Sequence, residues 1–208
     1  MNARMPGRPK DLEKRAAIID AAQGLFSERG VEGVSIEAIA AASGVSKVTV
    51  YNHFPDKAAI FKTMILRETD RLGRLISETT APNGTLEERL NQFGVPLLRM
   101  LNEPCHVALD RTMAIEAQRN PEIGQLFFNA GPGRTLELLT ELLVDAQARG
   151  EIELERPDAA ARDLMALWFG LGFLERKYLP QTDCGDTGQL CSQIERGTKV
   201  FLRAYSKR

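Results

Sequence analysis

Apolar residues recur along this chain at helical spacing, and alternation of β-branched residues over four or more positions is absent. Between about Asp11 and Arg29, Ile18, Ala21, Ala22, Leu25 and Phe26 share one face, and Gly30 supplies a stop, which predicts an amphipathic helix. Ser35 caps a short helix through Ala42, with Ile36, Ile39 and Ala40 inward. After the tight turn Ala42-Ser43-Gly44-Val45, Ser46 caps a second short helix through about Phe54, closed by Pro55. Asp56 caps a longer helix over 57–80, ended by Ala81-Pro82-Asn83-Gly84. Further helices are predicted over 85–102, 104–119 and 121–129. Gly131-Pro132-Gly133 then reads as an interruption before 134–149, 157–179 and 188–205. The expected fold is all-α, with about nine or ten helices and no internal repeat.

Two short helices joined by a glycine-containing turn form a helix-turn-helix unit, whose second helix can enter a DNA major groove. The composition of that second helix sharpens the reading. At about 100° per residue, with Val50 inward, Phe54 falls near 40°, Val48 near 160° and Asn52 near 200°. Val50 and Phe54 therefore face a core, while Val48 and Asn52 point outward, flanked by Tyr51, His53 and Thr49. Asn bonds adenine bidentately and Val offers a methyl surface to thymine. Tyr51, His53 and Thr49 are suited to phosphates, and Lys57 adds charge at the next helix start. The competing reading is that Tyr51 and His53 only cover a core edge.

Charge supports a polarised chain. The whole carries 27 Lys and Arg against 28 Asp and Glu, a net of −1. Residues 1–65 hold 9 basic and 7 acidic residues, and the remainder 18 and 21. A weakly basic N-terminal third ahead of an acidic remainder points to an anionic partner at one end.

The run Arg15-x-x-Ile18-Ile19-x-Ala21-Ala22-x-x-Leu25-Phe26-x-x-x-Gly30, then Ser35-Ile36-x-x-Ile39-Ala40-x-x-x-Gly44-Val45-Ser46, then Thr49-Val50-Tyr51-Asn52-His53-Phe54-x-x-Lys57, resembles the DNA-binding domain of TetR-type transcriptional regulators over about residues 12–60. The resemblance implies a recognition helix at about 47–54. Thr49, Tyr51, His53 and Lys57 stand at the family's phosphate-contacting positions, and Lys47, Val48 and Asn52 at its variable, base-reading ones. Ser35 and Ser46, the two caps, are counted with this DNA-binding set. Val48 departs from the Gly or Ala that many members carry, so no operator sequence is borrowed. Glu37, on the first helix of the motif, repels phosphate unless it accepts from cytosine. Pro6-Gly7-Arg8-Pro9-Lys10 resembles basic arms that enter a minor groove, with Arg8 the inserted residue; a solvated tail is the alternative. The implied domains are a DNA-binding domain over 1–58 and a helical ligand-binding and dimerisation domain over 59–208. Residues 108–122 add a resemblance to the C-terminal domain of one TetR subgroup, some of whose members control efflux genes.

The last two long helices predict a homodimer without that resemblance. Ala160, Leu164, Leu167, Leu171, Leu174 and Tyr178 repeat at 4-3-4-3-4 spacing, while Met165, Trp168, Phe169, Gly172 and Phe173 fill other faces. A helix apolar nearly all round needs neighbours on both sides. Leu190, Ile194, Gly197, Phe201 and Ala204 continue the pattern in the last helix. Two such helices per subunit make a four-helix bundle, with Leu164, Leu167, Leu171, Leu174, Ile194 and Phe201 as its expected interface. The competing reading is a monomer core. Phe93, Met100, Met113, Phe127, Phe128, Met165, Trp168 and Phe169 are the candidate pocket for a small, largely apolar effector, although such stripes are more often core.

The other classes find less support. The longest apolar run, residues 164–174, is shorter than the roughly 20 residues that span a bilayer, and the N-terminus has no apolar signal core. Three cysteines make no disulfide framework and suggest a reducing cytoplasm. There are two histidines, and no Walker loop, nucleophile elbow or dinucleotide fingerprint, so neither an enzyme, a cofactor nor a metal is expected. Cys105 and His106 are adjacent and would diverge by about 100° on a helix, a poor ligand pair. A redox-responsive DNA-binding regulator using Cys184 or Cys191 stays as the first alternative, and an unassigned helical enzyme as the lesser one. The expected partners are thus palindromic double-stranded DNA, a second copy of the chain and a small molecule, with no membrane.

Overall fold

Side-chain caps fix the frame of the N-terminal helices. In the computed structural model, which describes residues 8–79, 84–179 and 187–205, helix α1 spans Arg8–Arg29, α2 Ile36–Ser43, α3 Lys47–His53 and α4 Lys57–Thr79. Ser35 Oγ accepts from the Ala38 N–H at 3.1 Å, Ser46 Oγ from the Thr49 N–H at 3.1 Å and Asp56 Oδ1 from the Ala59 N–H at 2.7 Å. Each satisfies an amide that a helix start leaves without a partner. Between α2 and α3, Gly44 takes a left-handed conformation and its N–H returns to the α2 carbonyls. Helix α1 begins at Arg8, one turn earlier than the periodicity predicts; Pro9 fits a first turn because no intrahelical partner is lost there.

The remaining helices are α5 (Leu86–Asn102), α6 (Pro104–Arg119), α7 (Pro121–Phe128), a π turn at Asn129–Gly133, α8 (Arg134–Ala148), α9 (Pro157–Phe169), α10 (Gly172–Tyr178) and α11 (Thr187–Tyr205). The architecture is all-α, and no strand occurs among the described residues. None of these helices is long and apolar enough to cross a membrane.

The chain divides into two compact units that are not contiguous in sequence. One holds residues up to 67 together with 108–127, the other 68–107 and the residues from 128 on. In the first unit, α1, α2 and α3 pack on one another around Ile18, Phe26, Ile39, Val50 and Phe54. Phe61 of α4 meets Phe26 edge-on at 5.8 Å and stacks with Phe127 at 6.3 Å. The Thr112 hydroxyl donates to the Ser27 carbonyl at 3.3 Å, and Glu116 accepts from the Glu32 N–H at 3.4 Å. These bonds tie 108–127 to the end of α1 and its following loop.

The second unit is built where α5, α8, α9 and α11 pack together. Leu90, Phe93, Leu97, Leu139, Leu143, Leu164, Trp168, Ile194 and Phe201 form its core. Arg89, itself buried, is held by Asp145 at 3.2 Å and by Glu151.

Two sequence expectations change here. The helix expected over 157–179 is broken at Gly170, whose φ of 48° lies where a side chain is strained, so α9 and α10 do not share one heptad register. The residues expected at a subunit interface from that register fall into two groups. Leu164, Ile194 and Phe201 are fully buried within the unit's own core and offer no surface to a partner. Leu167, Leu171 and Leu174 are exposed, as are Tyr178 and Leu179. The second change is at Gly131-Pro132-Gly133, which does not interrupt the chain but forms a π turn leading directly into α8. The proline's missing donor is tolerated in this wider turn.

Candidate nucleic-acid interface

Helix α3 is held by its inward face. Val50 is fully buried and Phe54 nearly so, whereas Val48 is 69% and Tyr51 49% exposed. Lys47 and Asn52 are exposed as well, and Thr49 and His53 are half-buried. The sequence wheel placed Val48 and Asn52 at the centre of the outward face, and the structure presents both to solvent.

Electrostatics around that face are more paired than the sequence suggests. Lys47 of α3 forms an ion pair with Glu37 of α2 and lies over the Tyr51 ring at 5.9 Å. The bond from Glu37 holds the Lys47 ammonium above its ordinary pKa, and Lys47 holds the Glu37 carboxyl below its own. His53 Nε2 approaches Asp11 Oδ1 at 3.3 Å. Lys57 donates to the Glu32 carbonyl at 3.3 Å and pairs with its carboxylate at 3.7 Å. Arg15 sits over the Phe54 ring at 5.1 Å, fixing the back of α3 against α1. Ser46 caps α3 and exchanges a hydrogen bond with Thr49 Oγ1 at 2.9 Å.

Sequence reasoning missed Glu37, Asp11 and Glu32 as partners of the basic face. Their separations of 10, 42 and 25 positions carry no local periodic signal. The side chain of Arg8, and with it the expected minor-groove arm, lies outside the described residues.

The candidate effector residues divide between the units. Phe93 and Trp168 stack at 6.1 Å in the second unit's core, with Met100, Met165 and Phe169 packed against that core. Phe128 belongs to the same unit but is 48% exposed, and Met113 and Phe127 belong to the first unit. Cys191 is a free, half-buried thiol, and Cys184 lies outside the described residues.

Comparison with known proteins fits this geometry. Residues 18–64 match the family of bacterial regulatory proteins of the tetR type, and residues 88–207 match the AefR-like transcriptional repressor C-terminal domain. This chain belongs to the TetR family. It is a transcriptional regulator with an N-terminal helix-turn-helix DNA-binding domain. Among its relatives, the HTH-type transcriptional regulator UidR of Escherichia coli K12 is 27% identical over 159 residues, 76% of this chain and 79% of that one. A solved TetR-family regulator from Mesorhizobium loti superposes with a TM-score of 0.82 at 26% identity, covering 96% of this chain and all of the other. The Flavonoid-responsive Regulator FrrA superposes with a TM-score of 0.74 at 34% identity, covering 94% and 98%.

Proposed function

We propose that this TetR-family regulator is a homodimeric repressor that binds a palindromic operator through α3 and is released by a small, largely apolar ligand held in the second unit. The carrying observation is α3 itself, whose Val48 and Asn52 stand exposed on a face opposite the buried Val50 and Phe54. A short helix anchored on one side and bare on the other, at the second position of a helix-turn-helix, is built to enter a major groove. Asn52 and Val48 read base edges, while Thr49, Tyr51, His53 and Lys57 bond phosphates. Repression is supported by the match to a repressor's C-terminal domain. The aromatic core residues of the second unit, and the description of FrrA as flavonoid-responsive, favour an aromatic effector. Release follows if the ligand prefers a subunit arrangement whose two α3 helices no longer match one groove spacing, about 34 Å or a multiple.

Binding-site selection at two salt concentrations tests the division of labour on α3. Asn52→Ala is expected to change the preferred base pairs, costing about 1–3 kcal/mol at particular positions. Lys57→Ala is expected to weaken all sequences alike and to flatten the salt dependence by about one unit. Unaltered base preferences for the first variant, with altered ones for the second, would reverse the assignment.

The Glu37–Lys47 pair gives a separate expectation. Glu37 places a negative charge on the DNA-facing side and occupies Lys47, so binding must redirect that lysine. Glu37→Gln is expected to strengthen binding to unrelated duplex and to steepen its salt dependence by about one unit, read by fluorescence anisotropy. An unchanged slope would mean that Lys47 stays off the phosphates.

A further inference from the structure

The junction of α5 and α6, within the second unit, carries Glu103-Pro104-Cys105-His106. On an ideal helix Cys105 and His106 would diverge, which is why the sequence sets them aside as ligands. In the first turn of α6 their donor atoms nevertheless meet. Cys105 Sγ lies 3.7 Å from His106 Nδ1 and 3.9 Å from Glu103 Oε2, and His106 Nδ1 lies 3.7 Å from the same Glu103 oxygen. The three donor atoms thus form a nearly equilateral triangle.

That triangle has the dimensions of one face of a coordination tetrahedron. With metal–sulfur bonds of about 2.3 Å and metal–nitrogen or –oxygen bonds of about 2.0–2.1 Å, tetrahedral ligand atoms sit roughly 3.3–3.6 Å apart. Each side need contract by only a few tenths of an ångström. The donor set, one sulfur, one imidazole nitrogen and one carboxylate oxygen, suits zinc-class ions and not magnesium or calcium, which take oxygen alone.

Charge around the triangle is also suited. A cysteinate and the Glu103 carboxylate would neutralise a dication. Glu68 of α4 lies within electrostatic reach of both Cys105 and His106. Its charge is offset by Arg71, which bonds Glu68 at 3.0 Å and reaches Glu103 at 3.7 Å. On metal binding the Cys105 thiol proton passes to solvent. Cys105 is exposed and the Glu103 side chain is 45% accessible, so an ion has direct access.

We propose that Glu103, Cys105 and His106 form a binding site for one zinc-class divalent ion per chain, with water at the fourth position. The site stands independently of the DNA-binding reading.

Cobalt(II) is the probe, titrated into the reduced full-length protein. One equivalent is expected to bind, with a cysteinate-to-cobalt charge-transfer band and the intense visible bands of tetrahedral cobalt, all displaced by one equivalent of zinc. Cys105→Ser is expected to abolish the charge-transfer band. His106→Gln and Glu103→Gln should each weaken binding by more than the roughly 10–100-fold typical of losing an outer-shell partner. A variant with both Cys184 and Cys191 changed to serine should keep the band. Circular dichroism confirms that each variant is folded. Absence of the band in the wild type, its persistence in Cys105→Ser, or its loss with Cys184 and Cys191 would overturn the proposal.

Discussion

Replacing Trp168 with alanine is expected to destabilise the protein by about 3–5 kcal/mol, a loss large enough to lower the melting temperature by roughly 10 °C. The side chain is fully buried at the centre of the second unit's core, stacked on Phe93 at 6.1 Å. Its indole N–H donates to Thr198 Oγ1 at 3.0 Å, and that threonine is itself fully buried. α11 approaches so closely that a Cβ on Gly197 would stand 2.9 Å from Trp168 Cδ1 and 3.1 Å from the Leu167 carbonyl oxygen. Glycine at 197 is thus what lets α11 seat on α9, and the packing around the indole is too tight to collapse into its absence. Trp168→Phe separates the two contributions. It keeps an aromatic ring but strands the Thr198 hydroxyl, at a cost of about 1–3 kcal/mol from that group. Urea melts followed by circular dichroism measure both variants. In the wild type, the emission of the single tryptophan reports on the same core. A loss below about 1 kcal/mol for the alanine variant would contradict this account of the core.

What the sequence makes legible here follows the range of the forces involved. Ser35, Ser46 and Asp56 could be assigned as caps because a capping bond spans three residues, and all three bonds are present. The inward and outward faces of α3 were legible for the same reason, since one helical period decides them. Gly170 was not read as a break because apolar residues continue on both sides of it in unbroken helical spacing. Only the backbone shows that its conformation is non-helical. Gly131-Pro132-Gly133 failed in the opposite direction: strong local breakers sit within a wide turn that keeps the chain helical. The ion pairs around α3 depend on how separate turns meet, which no window of one or two turns encodes. Cys105 and His106 show a different limit: their donor atoms lie 3.7 Å apart although the residues are adjacent on one helix, because side-chain torsions and not Cβ directions alone decide where the donors go.

Leu171→Glu is expected to leave the chain folded, convert the proposed dimer to a monomer, and lower operator affinity by about three orders of magnitude or more, toward the non-specific level. Leu171 is 72% exposed between α9 and α10, next to Leu167 at 39% and Leu174 at 47% along the chain, so the chain offers apolar side chains there without needing them for its own core. A carboxylate introduced into a dry subunit interface loses its hydration without a compensating partner. An operator with two half-sites is bound tightly only when two recognition helices are held at matched spacing, so a monomer keeps one half-site's contacts alone. Phe201→Glu is the contrasting variant. Its side chain is fully buried against Tyr205, at 4.7 Å between ring centroids, and a charge there should unfold the second unit and not merely dissociate the subunits. Sedimentation at micromolar concentration, with a thermal melt of each variant, distinguishes the two. A wild-type monomer would end the dimer proposal. A Leu171→Glu variant that stayed dimeric would move the interface away from the α9–α10 junction.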